Sequence, residues 1–251
     1  MKIGIAGYGY VGQAHEIIFN EQHDIIISDP LKGHYGDLNH ADAIIVCVST
    51  PSHKLMKTCD VSNVIDVINN GPDVPYLVKS TISPEGWRLI SDCKNKDITF
   101  SPEFLRAAHW RQDALEKKDY LFGGASVNFW SDLFVNAKGR INVDIASPEE
   151  LILTKQLRNS YLALKVTFFN QVYDYCVGEG VDFERVRQLI TADSRIGDSH
   201  SYVTEQRGFG GHCLPKDTHA TVRSAQLSAD RSMTVLEAAL DYNESFTPDD
   251  K

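Results

Sequence analysis

The sequence predicts an α/β protein, in which a doubly wound parallel sheet over residues 1–146 precedes an all-helical domain over residues 147–251. Short, almost purely apolar runs alternate with helix-like stretches in the first part, as in repeated β-α-β units. Such continuous runs suit strands that are buried on both faces of a parallel sheet. The pattern changes at Ser147, where a stretch of roughly 30 residues without internal Pro or Gly indicates one long helix.

The predicted elements of the sheet follow one another in a regular order. The first strand covers Lys2–Ala6 and leads through a glycine-rich turn into an amphipathic helix that extends to Gln22. A helical period also occurs over 61–68, and Ser83 followed by Pro84 indicates the capped start of another helix. Further strands are predicted at 25–28, 43–48, 76–78, 98–100 and 120–122, with a last candidate at 141–145.

The second half contains only helical signals. Ser147-Pro148-Glu149-Glu150 has the form of a capping box for the long helix, which the glycines at 178 and 180 end near Val177. Another helix is predicted over 181–191. After an irregular, glycine-rich stretch at 194–212, two more helices are predicted from about Leu214 and from about Ser228.

The composition excludes several classes of partner. Hydrophobic residues make up 42% and charged residues 24%, which is typical of a globular protein with a core. The net charge is 25 − 34 = −9 and no basic cluster stands out, so nucleic acid is not an expected partner. No apolar run could span a bilayer and no signal-peptide pattern occurs, so we expect a cytoplasmic protein without a membrane partner. The five cysteines show no metal-binding spacing, so no metal is expected.

The strongest binding signal in the first half is Gly7-x-Gly9-x-x-Gly12, which follows a strand and opens a helix. In Rossmann-type sheets this spacing permits a tight turn, a close approach of the backbone to a pyrophosphate, and helix packing on the strand. Asp29 ends the second strand, where a carboxylate bonds ribose hydroxyls and repels a 2′-phosphate. The pattern therefore predicts binding of NAD rather than NADP. The alternative is a glycine turn with a purely structural role.

The sharpest signal for chemistry is the segment Gly208-Phe209-Gly210-Gly211-His212-Cys213-Leu214-Pro215-Lys216-Asp217-Thr218. Pro215 suits the first turn of a helix, which would put Cys213 near that helix's positive end, with Lys216 as an additional cation. Both effects favour a nucleophilic thiolate. Asp217, four residues after the cysteine, is a candidate general base. The alternative is a buried cysteine in a glycine turn.

Other polar groups follow strands or share a helix face. Lys155 and Asn159 lie four residues apart in the long helix and could donate to one oxyanion, or form an ordinary solvated face. Glu103 and Arg106, in Ser101-Pro102-Glu103-Phe104-Leu105-Arg106, follow a strand and could bind a ligand or pair with each other. The hydroxyls of Ser49-Thr50-Pro51 and Ser80-Thr81 also follow strands, where they could contact a ligand or cap helices.

Together these motifs resemble the UDP-glucose/GDP-mannose dehydrogenase family, in the family's order and at compatible spacing, from residue 3 to about 220. The resemblance implies oxidation of the C6 alcohol of a nucleotide sugar to a carboxylate with two NAD⁺. The threonine after Asp217 favours UDP-glucose. The segments that carry the resemblance are Gly7–Gly12, Ser49–Pro51, Ser80–Thr81, Ser101–Arg106, Lys155-x-x-x-Asn159 and Gly210–Thr218.

The resemblance also implies a role for each matched residue. Cys213 would attack the C6 aldehyde, and Lys155 and Asn159 would stabilise the oxyanion. Asp217 with Thr81 and a water would handle protons, and Glu103 would assist hydrolysis. The residues implied in cofactor binding are Gly7, Gly9, Tyr10, Val11, Gly12, Asp29, Thr50, Thr81 and Lys216. Those implied in substrate binding are Glu103, Phe104, Leu105, Arg106, Lys155, Asn159 and Gly210.

The sequence departs from the family pattern at two points. Ala107 stands where the family usually has a glutamate, and the third, nucleotide-gripping domain of the family is expected to be absent, so that a separate chain could supply it. The apolar surface of the long helix predicts a homodimer. Two alternatives stay open at this point: a β-hydroxyacid-type dehydrogenase, which needs no cysteine nucleophile, and a catalytically impaired NAD-binding fragment.

Overall fold

The computed structural model describes residues 1–52, 58–95, 97–211 and 213–246. The chain divides into two compact units within its longest helix. The first, which we call the sheet unit, ends at Lys155, and the second, the helical unit, continues from Gln156. The boundary predicted at 146/147 from the change of sequence pattern stays a prediction.

The sheet unit is built on one eight-stranded sheet of order β3-β2-β1-β4-β5-β6-β7-β8, which confirms the predicted α/β class. β1 pairs in parallel with β2 and β4, and β4, β5 and β6 continue the parallel series. The strands are β1 (Lys2–Ala6), β2 (Asp24–Asp29), β3 (His34–Tyr35), β4 (Ala43–Val46), β5 (Tyr76–Val78), β6 (Ile98–Phe100), β7 (Asp119–Gly124) and β8 (Asn142–Ile145).

The sheet is not parallel throughout, and this corrects the sequence-based expectation. The short strand β3, which was not predicted, pairs antiparallel with β2 through only two residue pairs. β7 runs antiparallel to β6, and β8 follows β7 in parallel. At the reversal Gly124 has φ +127°, and a Cβ there would lie 2.4 Å from the Ile98 carbonyl oxygen. Glycine is therefore needed for this close approach of β7 to β6.

Both faces of the central strands are buried, as their apolar runs predicted, whereas the edge strands β3 and β8 are largely exposed. On β4 the residues alternate between two hydrophobic clusters: Ile44 and Val46 belong to one, Ala43 and Ile45 to the other. The helices of this unit are α1 (Tyr10–Phe19), α2 (Ser62–Asn70), α3 (Pro84–Ser91), α4 (Trp110–Glu116) and α5 (Val127–Lys138), with 3₁₀ turns at Pro30–Lys32, Leu38–His40 and Ala107–His109. Ser83 caps α3 as predicted, because its Oγ accepts a hydrogen bond from the Gly86 N–H at 3.2 Å.

The long helix α6 (Pro148–Glu179) begins with the predicted capping box. Ser147 Oγ accepts from the Glu150 N–H at 3.2 Å, and the Glu150 carboxylate accepts from the Ser147 N–H at 2.8 Å. The helix ends slightly later than the predicted Val177. Among the described residues no helix is both long and apolar enough to cross a membrane.

Three further helices follow in the helical unit: α7 (Phe183–Thr191), α8 (Cys213–Ala229) and α9 (Thr234–Glu244). α7 starts two residues later than predicted, because the Asp182 side chain caps the amides of Glu184 and Arg185. The predicted helix start near Ser228 is wrong, since α8 continues to Ala229. Asp230 then adopts a left-handed conformation (φ 50°) that breaks the helix before α9 begins.

Candidate functional site

The glycine turn between β1 and α1 has the geometry of a ligand cradle. Gly7 has φ +88°, and a Cβ there would lie 2.7 Å from the backbone of Cys47. A Cβ on Gly12 would lie 2.2 Å from the Gly7 carbonyl oxygen, so this glycine permits close packing of helix and strand. Gly9, by contrast, borders open space at the N-cap of α1, where no side chain caps the helix. The start of α1 can therefore receive an anionic group.

Asp29 lies at the edge of this turn, as its position at the end of β2 predicted. Its Oδ2 accepts a hydrogen bond from the Tyr8 N–H at 2.7 Å, which ties the end of β2 to the turn. The Tyr8 carbonyl oxygen accepts from Lys32 Nζ at 2.9 Å, and the Tyr8 ring contacts His34 edge-on at 4.6 Å between centroids. An open space at a helix start, with a carboxylate beside it, fits a dinucleotide whose ribose carries free hydroxyls.

Thr50 and Thr81 are brought together where β4 and β5 end. Thr50 Oγ1 donates to the Thr81 carbonyl oxygen at 2.6 Å, and Ser80 Oγ donates to the Val48 carbonyl oxygen at 2.7 Å. These bonds hold the two segments after β4 and β5 side by side. The hydroxyl of Thr50 is thus used in the protein itself, whereas its predicted contact with a cofactor stays a prediction.

Glu103 lies in a buried ionic cluster that the sequence did not predict. Its carboxylate accepts from Lys117 Nζ at 2.7 Å and lies 3.2 Å from Lys79 Nζ, and Lys79 also donates to Ser101 Oγ at 3.0 Å. Burial alone would raise the pKa of Glu103, but the two lysines outweigh it and hold this pKa well below its usual range. Burial lowers the pKa of Lys79 to about 8, although Glu103 opposes that effect. Glu103 is therefore a carboxylate at neutral pH.

Lys155 is positioned by the same segment. Its Nζ donates to the main-chain oxygen of Glu103 at 2.6 Å and lies 5.1 Å from the centre of the Phe104 ring. Only 8% of Lys155 is exposed, so this charge is held in a defined place. Leu105 is half-buried. Arg106 is exposed and pairs with Asp113 of α4, its Nη2 lying 2.5 Å from the carboxylate.

In the helical unit, Cys213 is the first residue of α8 and is half-buried. Positive φ angles at Gly208 (59°) and Gly211 (75°) shape the loop before it, and Gly210 borders open space. The cysteine therefore stands at a helix start behind a glycine loop, which agrees with the predicted arrangement. Pro215 falls in the first turn, where its missing N–H costs nothing.

Asp217 lies one turn after Cys213 and is almost fully buried. Asn159 of α6 donates to its Oδ2 at 2.6 Å, and Lys216 Nζ lies 2.9 Å from its Oδ1. A second contact joins the same helices, since Ser160 donates to Thr221 at 3.0 Å and Thr221 donates to the Asp217 carbonyl oxygen at 2.7 Å. Asn159 and Asp217 thus form one polar group, whereas the sequence paired Asn159 with Lys155.

Three residues of these sites escaped sequence reasoning. Lys79 carried a usable signal, because a lysine directly after the buried run 76–78 is unexpected unless it is paired. Lys117 lies in a charged stretch that resembles any solvated helix end. Asn243, which contacts the loop before Cys213, is one of several polar residues in α9, and nothing in its neighbours distinguishes it. Both of these depend on partners that are distant in sequence.

The glycine turn, the acidic end of β2 and the mostly parallel sheet define a Rossmann-type α/β unit, which is followed by a helical unit. Residues 150–245 match the model of the UDP-glucose/GDP-mannose dehydrogenase family, central domain. A UDP-glucose 6-dehydrogenase from Campylobacter jejuni is 30% identical over 262 residues, covering 87% of this chain and 66% of that protein. A second, from Streptococcus pneumoniae, is 26% identical over 267 residues, covering 87% and 67%. The chain belongs to the UDP-glucose/GDP-mannose dehydrogenase family, and it spans about two thirds of the length of these relatives.

Solved structures share the fold. A UDP-glucose dehydrogenase from Pyrobaculum islandicum superposes with a TM-score of 0.82 at 24% identity, covering 97% of this chain and 68% of that one. A UDP-D-ManNAc dehydrogenase from Pyrococcus horikoshii gives a TM-score of 0.79 at 19% identity, covering 98% and 69%. At these identities the likeness extends to the architecture alone.

Proposed function

We propose that this chain carries the NAD-binding and nucleophile-bearing parts of a nucleotide-sugar 6-dehydrogenase, with UDP-glucose as the favoured substrate. The observation that carries the proposal is the position of Cys213 at the start of α8, one helical turn before a buried aspartate held by Asn159. A sulfur nucleophile beside a fixed carboxylate suits covalent oxidation of an aldehyde. The curated relatives bear the name of this activity.

The cofactor in this proposal is NAD. The residues that would hold it are Gly7, Gly9 and Gly12 with Tyr10 and Val11 at the start of α1, Asp29 at the ribose, and Thr50 and Thr81 at the neighbouring strand ends. The open space at Gly9 supports this assignment, because a side chain there would fill it. When bound, NAD⁺ would supply the acceptor for the hydride that the substrate carbon loses in each of the two oxidations. Lys216 is the last residue proposed for the cofactor site, to which it would add a positive charge.

The chain's own groups account for the other steps. In the first oxidation the C6 hydroxyl loses its proton to Asp217, with a water that Thr81 helps to hold. The Cys213 sulfur then bonds to the aldehyde carbon, and the aldehyde oxygen takes up a proton to give a thiohemiacetal. Loss of a second hydride and that proton leaves a thioester on Cys213. Water attacks the thioester carbon, the C–S bond breaks, and the uronate leaves while the thiol is restored.

Two hydrogen-bond donors, the Lys155 ammonium and the neutral Asn159 carboxamide, are proposed to support the oxygen that becomes negative in these steps. An ammonium has three donors and a carboxamide two, so Lys155 and Asn159 can each serve a protein acceptor and an oxyanion. Glu103 stays ionised at neutral pH, so its contribution to hydrolysis is to orient the water as an acceptor. Phe104, Leu105, Arg106 and Gly210 are proposed to contact the sugar nucleotide. Ala107 stands where the family resemblance implies a glutamate, so that carboxylate is missing from the proposed site.

Turnover assays test this proposal directly. We expect NADH formation with one member of a panel of UDP- and GDP-sugars, two NADH for each uronate, measured with and without a separate chain that supplies a nucleotide-binding domain. Cys213→Ser should abolish uronate formation while NAD binding persists. Cys176→Ser, which changes a buried cysteine of α6, is the matched control. Uronate formation by Cys213→Ala at near the wild-type rate would refute the mechanism.

We also propose that the chain forms a homodimer through α6. This helix leaves large apolar side chains exposed, including Leu157, Tyr161, Phe168 and Tyr175, and Tyr161 is 60% exposed. Apolar area of this kind is commonly covered by a partner. Light scattering coupled to size-exclusion chromatography should give the mass of two chains, and Tyr161→Lys should shift it to one. A wild-type chain with the mass of one chain at micromolar concentration contradicts the dimer.

A further inference from the structure

The loop before Cys213 has an unusual backbone. Arg207 and Gly208 both adopt left-handed conformations, with φ 56° and 59°. A left-handed arginine is disfavoured, so something must hold it in place. A Cβ on Gly208 would lie 2.3 Å from Asn243 Oδ1, which shows how closely the loop packs on α9.

Asn243 of α9 binds the loop through both ends of its carboxamide. Its Oδ1 accepts from the Phe209 N–H at 2.6 Å, and its Nδ2 donates to the Phe209 carbonyl oxygen at 3.0 Å. The side chain thereby bonds both backbone groups of Phe209, as a neighbouring strand would do in a sheet. Asn243 is 8% exposed, so water does not compete freely for these two bonds.

Asn170 of α6 holds the preceding residues. Its Oδ1 accepts from the Gly208 N–H at 3.0 Å and from Arg207 Nε at 2.9 Å, and the residue is fully buried. The Arg207 guanidinium also pairs with Asp174 at 2.7 Å and lies 4.7 Å from the ring centre of Phe246. Two asparagines from two helices therefore hold the loop from both sides.

The Phe209 side chain transmits this constraint toward the cysteine. It is 5% exposed and belongs to a small hydrophobic cluster that also includes Ala163, Val166 and Leu240. Leu214, the residue directly after Cys213, packs against the same cluster. The backbone is thus anchored at Phe209 before the cysteine and at Leu214 after it.

We propose that Asn243 and Asn170 are positioning residues for the Cys213 thiol, and that they keep it at the first turn of α8. This inference rests on the proposed role of Cys213 as nucleophile. A glycine-rich loop without such partners samples many conformations, because glycine has little intrinsic backbone preference. The charge effect of a helix start is confined to its first turn, so a displaced sulfur loses it. Asn243 lies in α9, and its effect on Cys213 passes through Phe209.

The test uses the full chain with Asn243→Ala, which removes both bonds, and Asn243→Asp, which keeps the volume and the acceptor but loses the donor to Phe209. Leu236→Ala is the matched control, because it empties another buried position of the same helix and a leucine side chain has no hydrogen-bonding group to bind the loop. Three quantities are measured: hydrogen exchange of the peptide containing 207–211, the rate of Cys213 alkylation by iodoacetamide at pH 7, and kcat with KM.

The expected result is loop exchange faster by about tenfold in Asn243→Ala, from the loss of two buried hydrogen bonds. In the same variant, alkylation of Cys213 should slow by about threefold or more, and kcat should fall with KM unchanged. Leu236→Ala should lower the melting temperature but leave loop exchange, alkylation, kcat and KM unchanged. Asn243→Asp should change the same quantities in the same direction but to a smaller extent. If the alanine variant does not fold, Asn243→Asp by itself tests the inference.

Several outcomes would overturn the inference. Unchanged loop exchange in both Asn243 variants would show that the carboxamide does not hold the loop. Faster exchange with an equal or higher alkylation rate would show that the loop does not position the sulfur. If Leu236→Ala shows the same changes in exchange, alkylation and kcat, the effect of the Asn243 variants is a general loss of stability and not a loss of positioning. If the wild-type chain oxidises no nucleotide sugar but the exchange and alkylation results stand, the proposed function fails and the positioning role survives.

Discussion

Lowering the pH from 7 to 5 should destabilise the sheet unit through His15. This residue of α1 is 1% exposed, and its Nδ1 lies 2.8 Å from the Val11 carbonyl oxygen. Its Nε2 has no hydrogen-bond partner within the part of the chain that the structure describes. Burial lowers the pKa of His15 to about 3, and the positive charge of Lys79 contributes in the same direction.

The sign and size of the effect follow from proton linkage. The unfolded chain binds the proton near pH 6.5, the ordinary value for histidine, whereas folded His15 binds it only near pH 3. Between these values the unfolded state binds more protons, so the free energy of unfolding decreases as the pH falls. At pH 5 protonation favours the unfolded state by about 2 kcal/mol, and at pH 7 by about 0.2 kcal/mol. The expected loss from His15 is therefore about 2 kcal/mol.

Urea unfolding at the two pH values measures this loss. All three tryptophans (Trp87, Trp110 and Trp130) belong to the sheet unit, so their fluorescence reports its unfolding. His15→Gln removes the titrating group, and it should lose about 2 kcal/mol less than wild type between pH 7 and pH 5. The exposed His40→Gln is the control for removing a surface histidine. Equal pH dependence in wild type and His15→Gln would refute the reasoning.

Two further predictions concern the sheet unit. Lys117→Met leaves the buried Glu103 carboxylate with Lys79 and the Phe104 N–H as partners. It should lower the free energy of unfolding by about 2–3 kcal/mol in urea titrations, whereas the exposed Lys118→Met should change it little. An unchanged free energy of unfolding in Lys117→Met would contradict this prediction, because it would mean that solvent replaces Lys117 as the partner of Glu103. Gly9→Val should weaken NAD binding by about tenfold or more in a calorimetric titration without changing the melting temperature, because its Cβ enters only the open space at α1. The control is Gly178→Ala, which adds a Cβ in α6 at a site that is equally open. If Gly9→Val binds NAD with wild-type affinity, the cofactor does not bind at this turn.

The elements that sequence reasoning predicted correctly are those with local causes. The caps at Ser83 and Ser147 act on amides three residues away, so the neighbouring residues suffice to locate α3 and α6. The glycine turn is equally local, since Gly7 and Gly12 approach each other across one turn. The boundaries that were wrong, such as the start of α9, depend on a single residue, Asp230, that takes an unusual backbone conformation.

Part of the candidate site was also accessible from the sequence. The spacing of Cys213 and Asp217 puts them one turn apart in any helix, and the placement of Asp29 at a strand end follows from the preceding apolar run. These predictions needed only the period of a helix or a strand. The partners of the same residues were not accessible, because Asn159 and Asp217 are separated by 58 positions.

The sequence by itself determined the α/β class, the glycine turn, the caps and the position of the cysteine at a helix start, because each depends on residues within a few positions of one another. Tertiary structure decided the reversal of β7 against β6, the pairing of Glu103 with two lysines, and the hold of Asn243 on Phe209. These contacts join segments that are distant in the chain, so their energies depend on burial and on distances that only the packed fold defines.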